Sequence, residues 1–301
     1  MNVLEVKNIS KSYKNKKILK NISFSIDKGE IIGLIGPNGA GKTTLMKIIS
    51  GLLKQDDGTV KICGLSTQYN RTEYLSKFSS IIETPSLYEM LSGYDNINFI
   101  RKINNITIEK MDEILKFINI GHAINDKVKN YSLGMKQRLA LGIALITQPK
   151  LLILDEPTNG LDPDGVIGFR ELLKKFATES GVSILIASHI LSELDKMCTK
   201  ILFIKDGELV DGENINKNKE LQNVILTVEN PQEIFERIQE IDFIYKIEIV
   251  NNNVIIQINR SNTSKLLSEL GEKDIKYSNI EIENNNIEQI YRDIYLGGNS
   301  E

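Results

Sequence analysis

Residues 30–53 read EIIGLIGPNGAGKTTLMKIISGLL. An apolar run at 31–35 predicts a buried strand, and apolar positions at helical spacing after Lys42 predict a helix. Between them, Gly36 and Gly41 enclose four residues and are followed by Lys42 and Thr43, which fits G-x-x-x-x-G-K-[ST] in its strand-to-helix setting. The spacing follows from the chemistry. Glycines let successive backbone N–H groups curl around a triphosphate, and the helix N-terminus adds its positive dipole end. Lys42 then reaches the β- and γ-phosphates, and the Thr43 hydroxyl is placed to ligate Mg²⁺. Gly36, Pro37, Asn38, Gly39, Ala40, Gly41, Lys42, Thr43 and Thr44 are therefore the candidate cradle for a nucleoside triphosphate. The motif alone leaves kinases, GTPases and other phosphate-loop enzymes open.

A second segment, LLILDEPTNGLDP (151–163), runs four apolar residues into Asp155 and Glu156. This is the pattern of a central parallel strand whose carboxyl end delivers acids to the crevice where α/β sheets bind ligands. Asp155 is the candidate metal-associated acid and Glu156 the candidate base for an attacking water.

The bulk of the chain sets limits. Its 301 residues, 41% hydrophobic and 26% charged, suit a globular protein of two domains. No stretch approaches the roughly 18 apolar residues of a membrane span, and the opening MNVLEVKNISKSYKNKK lacks the pattern of a signal peptide, so a cytoplasmic location is expected. Cys63 and Cys198 form no C-x-x-C and are read as two reduced thiols. A net charge of -3 argues against nucleic acid as a partner.

Charge and texture change late in the chain. Residues 1–215 carry 28 basic and 25 acidic side chains, the remainder 9 and 15. The polar stretch ELVDGENINKNKE (208–220) reads as a linker, which divides the chain into 1–215 and 216–301. In the second part QNVILTVE, YKIEIV, VIIQIN and IKYSNIEI read as strands, and PQEIFERIQEI and TSKLLSELG as helices. The order β-α-β-β-α-β is the ferredoxin-like arrangement, and IEQIYRDIYL adds a last short helix.

Over residues 1–215 the chain resembles the ATP-binding cassette of ABC transporters. GPNGAGKTT resembles its phosphate loop, YSLGMKQRLALGIAL its signature helix, LLILDEPT its metal and base strand, NGLDP its D-loop and SILIASHILSEL its switch-histidine segment. Five elements in the right order make the resemblance specific. It implies an α/β fold, a RecA-like mixed-sheet core with a helical subdomain at about 84–148, and ATP hydrolysis with ATP and Mg²⁺ as cofactors. Residue by residue it implies Glu156 as general base, His189 as sensor of the γ-phosphate, Tyr13 as adenine platform and Asp162 as a residue communicating across a dimer. Ser132 and Gly134 would cap the nucleotide of a second cassette, since one chain holds one phosphate loop and one signature. Leu133 and Met135 depart from the usual L-S-G-G-Q.

The segment IIETPSLYEMLSGYDNI (81–97) aligns with the loop that carries a metal-facing glutamine in most of the family, and here Glu83 takes that place. A carboxylate ending a buried strand needs a cation, and Mg²⁺ is the expected one. Glutamate followed by P-x-x-Y resembles the lantibiotic-immunity and bacitracin-resistance branch. The implied function is the ATPase subunit of an antimicrobial-peptide exporter, held on the inner face of the membrane by permease subunits and paired with a second cassette, a homodimer in the simplest case. The alternatives are the ATPase of another drug or lipid exporter, an importer, or a soluble ABC ATPase that moves no solute.

Overall fold

In the computed structural model, residues 2–14, 16–83, 86–210, 221–284, 287–292 and 294–295 are described. The long alternating segments at the start pair as a hairpin: β1 (Asn2–Tyr13) lies antiparallel to β2 (Lys16–Asp27), with Tyr13 opposite Lys16 near the turn. After β3 (Ile31–Ile35) and α1 (Lys42–Ile49), β4 (Asp57–Ile62) joins the other edge of β1. A short helix, α2 (Arg71–Leu75), leads into β5 (Phe78–Ile81).

The next region is helical. It holds α3 (Gly93–Ile103), α4 (Ile108–Ile118) and α5 (Leu133–Ile146). Ser92, Thr107 and Ser132 each precede one of these helices and accept a backbone N–H of its first turn, so the starts are written locally by capping residues.

The strands β6 (Leu151–Asp155), β7 (Ser183–Ala187) and β8 (Lys200–Lys205) then return to the centre, separated by α6 (Pro163–Ser180) and α7 (Leu191–Met197). With the short β9 (Glu208–Val210) they build a six-stranded sheet in the order β5-β6-β7-β3-β8-β9, parallel except for its last pair. β3, β6 and β7 are buried at every residue, as continuous apolar runs in a parallel sheet should be. One apolar core joins β1, β2 and β4 to α1 and the sheet, with Ile22, Leu45, Met46, Ile153 and Leu185 inaccessible. Residues 208–210, expected as part of a linker, are instead paired with β8, because Leu209 opposite Ile204 continues the ladder. The rest of that linker, 211–220, lies outside the described residues.

The chain divides by contacts into Met1–Val210 and Asp211–Glu301. The second unit contains β10 (Leu221–Thr227), α8 (Pro231–Ile238), β11 (Ile244–Val250), β12 (Asn253–Asn259), α9 (Thr263–Glu272), β13 (Asn279–Asn284) and α10 (Ile287–Arg292). Its strands are antiparallel in the order β11-β12-β10-β13, which is the ferredoxin-like topology. β13 starts at Asn279, not at Ile275 as the sequence pattern suggests. The Ile275 N–H closes on Leu270 at the end of α9, and the Ile275 side chain is spent in the core. Of the expected final helix, positions 293 and 296 lie outside the described residues. Ile256 is inaccessible at the centre of this core. Ile256→Ala should cost about 2–5 kcal/mol in chemical denaturation of this unit; a loss below 1 kcal/mol would mean the site collapses around the smaller side chain.

Candidate nucleotide-binding site

Parallel pairing brings the ends of four strands to one crevice. Ala187 at the end of β7 is opposite both Leu34 of β3 and Asp155 of β6, and Ile81 of β5 is opposite Leu154. The loops that follow therefore carry the phosphate loop, Asp155 with Glu156, His189 and Glu83 to the same edge, the ligand-binding edge of such sheets.

The loop needs glycine at two points for different reasons. A Cβ on Gly36 would lie 2.7 Å from the Ile204 carbonyl oxygen, and Gly41 has φ +108° with Leu19 2.7 Å from a Cβ. Lys42, the first residue of α1, is buried and donates to the Gly36 and Pro37 carbonyls at 2.6 and 3.3 Å. Burial pushes its ammonium down from the ordinary lysine range, opposed by the nearby Glu156 and Asp155 charges. Thr43 donates to Asp155 Oδ2 at 2.7 Å. Burial raises the Asp155 carboxyl above the usual carboxylate range, partly offset by the Thr43 hydrogen bond, while Glu156 and Glu83 push it further up.

Glu156 sits in a left-handed turn, φ 49°, directly after β6. Its Oε2 accepts the His189 backbone N–H at 3.2 Å and lies 2.7 Å from His189 Nδ1. The last member differs from expectation. Glu83 is not a buried acid: its side chain is 66% exposed and its carboxylate meets Lys47 Nζ at 2.7 Å. The residue lies in a positive-φ turn (65°), two positions beyond the end of β5, so the chain has already left the sheet. The cation beside it is a lysine of α1.

Lys42, Thr43, Asp155, Glu156 and Glu83 line a cleft of about 690 Å³ together with Tyr13, Ile18, Asn38, Gly39, Gly41, Thr44, Leu133, Gln137 and Asn159, whereas His189 and Lys47 stand outside its lining. Tyr13 is half exposed, with Lys11 Nζ 5.9 Å from its ring centroid. Gly36, Pro37 and Ala40 of the same loop do not line the cleft. Ser132, Gly134 and Asp162 do not line this cleft. Ser132 accepts the Met135 N–H at the start of α5, and Asp162 accepts the Gly165 N–H at the start of α6. A Cβ on Gly134 would meet nothing closer than 3.7 Å, so its own chain does not require glycine there. The sequence reading missed Lys47 and Gln137. Lys47 could have been found four residues beyond Thr43, one turn along α1. Gln137 is buried on α5 and its side-chain carbonyl has no hydrogen-bond partner, a property that exists only after folding.

Each of the four charged side chains that line the cleft, Lys42, Asp155, Glu156 and Glu83, thus has a partner within the chain. A phosphate loop under two strand-end carboxylates, on a parallel sheet with a helical insert, defines a phosphate-loop ATPase of the cassette type. The ABC transporter family model matches residues 19–159. The uncharacterized ABC transporter ATP-binding protein YhcH of Bacillus subtilis is 38% identical over 93% of this chain and 92% of its own. The lantibiotic transport ATP-binding protein SrtF of Streptococcus pyogenes is 41% identical over 78% of this chain and 99% of its own. The bacitracin transport ATP-binding protein BcrA of Enterococcus faecalis is 39% identical over 71% and 70%. Among solved structures, the dimeric bacterial ABC transporter cassette MJ0796 superposes with TM-score 0.62 at 27% identity, over 69% of this chain and 97% of that one. The chain belongs to the ABC transporter ATP-binding proteins, a family of cassettes that bind and hydrolyse ATP.

Tyr13→Ala should weaken ATP binding about ten-fold by removing a stacking platform for the base. Equal affinities in a fluorescent-nucleotide titration would remove Tyr13 from the site.

Proposed function

We propose that two copies of this cassette close on two ATP molecules and drive export of antimicrobial peptides of the lantibiotic or bacitracin type. Multi-span permease subunits would hold the cassettes at the inner face of the cell membrane. The similarity to SrtF over nearly the whole of that protein carries the substrate class, and the acid at position 83 supports it. Among the described residues no helix is long and apolar enough to cross a membrane, so a peptide path would belong to partner chains. Tyr88, Met90, Leu91, Tyr94, Phe99 and Ile103 are exposed apolar side chains between positions 88 and 103, suited to such a partner.

In this reading Lys42 leaves the Gly36 and Pro37 carbonyls for the β- and γ-phosphates. Thr43 and Asp155, hard oxygen donors already 2.7 Å apart, are the residues that would hold Mg²⁺. Among the described residues no three acids, histidines or cysteines converge on a metal, so phosphate oxygens would complete its shell. When bound, the ion neutralises charge on the β- and γ-phosphates. Glu156 accepts the proton of the attacking water, and His189 fixes its carboxylate. Ser132 and Gly134, uncrowded by their own chain, present backbone and hydroxyl to the partner cassette's γ-phosphate.

The experiment is expression in a peptide-sensitive strain with the permease genes that co-purify in mild detergent. The expected result is growth at several-fold higher peptide concentration, with Glu83→Gln altering that level at equal protein abundance. Protection independent of the cassette, or co-purification with ribosomes and no multi-span protein, would overturn the transport assignment.

A further inference from the structure

The cleft has an unusual charge inventory for a site that receives a polyanion. Three carboxylates line it, Asp155, Glu156 and Glu83, against one ammonium, Lys42. ATP without metal brings about four more negative charges, so each uncompensated acid repels it. Lys47 stands just outside the lining, its Nζ 2.7 Å from Glu83 Oε1.

Stability does not explain this pair. Its side chains are 35% and 66% exposed, and exposed ion pairs add little to folding. Its geometry is nonetheless defined at both ends. α1 is anchored by the buried Met46 and Ile48 on either side of Lys47, and the positive-φ turn at residue 83 brings the carboxylate to that helix.

Taking the cleft to be the nucleotide site, we propose that Lys47 is a charge-balancing residue, offsetting Glu83 so that the site keeps the net charge it would have with neutral side chains at both positions. Lys47 acts through Glu83 and is a positioning residue, not a phosphate ligand. An acid can then occupy this position, available to a partner, without driving the nucleotide away.

The test is equilibrium binding of ATP and of Mg-ATP to the full chain at low salt, without turnover. Repulsion scales with ligand charge, so Lys47→Met should weaken metal-free ATP about ten-fold and Mg-ATP about three-fold. The double variant Lys47→Met/Glu83→Gln should return both affinities to near the parent values. The differences should shrink at 0.5 M salt, where charges are screened over a few ångströms. Equal loss for the two ligands, a double variant as weak as Lys47→Met, or salt-independent losses would overturn the proposal. ATP binding that survives Lys42→Ala undiminished would overturn the nucleotide reading of the cleft instead. A Lys42-dependent site indifferent to Lys47→Met would sink the charge balance alone.

Discussion

Glu156→Gln should lower steady-state ATP hydrolysis by about 10²- to 10⁴-fold, the usual contribution of a positioned general base, while leaving ATP bound. Glutamine keeps the size of the side chain and an oxygen to accept the His189 N–H, now 3.2 Å from Glu156 Oε2. It cannot take a proton from water. Two cassettes closed on ATP would then have no route to reopen, and the protein should elute as a dimer in Mg-ATP and as a monomer without it. Size-exclusion with light scattering distinguishes the cases. A variant that hydrolyses ATP at more than a tenth of the parent rate would move the base elsewhere, and a monomer under saturating Mg-ATP would count against the paired-cassette arrangement.

Lys42→Ala should weaken ATP binding by about ten- to a hundred-fold. Hydrogen bonds to charged groups are worth about 1.5–3 kcal/mol, and each 1.4 kcal/mol is ten-fold in affinity. The gain is moderated here because Lys42 is already bonded to the Gly36 and Pro37 carbonyls, so phosphate replaces existing partners. The same bonds mean that alanine leaves the Gly36 carbonyl without its donor, and thermal melting should accompany the titration. A variant that melts like its parent and binds ATP unchanged would end the assignment of Lys42 to phosphate.

The place of Lys42 was readable before folding because it is written in local order: a strand, two glycines at fixed spacing and a helix start. Asp155 and Glu156 were readable for the same reason, as acids closing a fully apolar run. Ser132 was legible as a helix cap, and the antiparallel β-α-β-β-α-β order of the second unit followed from alternation and turn residues. Glu83 shows where such reading ends. Its alignment set it beside the phosphate loop and Asp155, and it does line the same cleft, yet its burial and counter-ion were misjudged. Whether the chain has left the sheet by residue 83, and which cation lies beside it, depend on α1, 36 residues away in sequence. Ile275 is similar: its β-branched neighbourhood suggests a strand, but a hydrogen bond back to Leu270 and a place in the core take priority.

Local signals in the chain were enough to place the phosphate loop between β3 and α1, the acids that close β6 and the element order of the second unit, because periodicity, glycine conformation and capping act over a few residues. The tertiary structure alone decided that Thr43 meets Asp155 across 112 positions, that Glu156 meets His189 across 33, and that Lys47 answers Glu83. Those contacts are set by the order and register of parallel strands. Non-local pairing and the shared core fix that register, and neither is present in any short stretch of the chain.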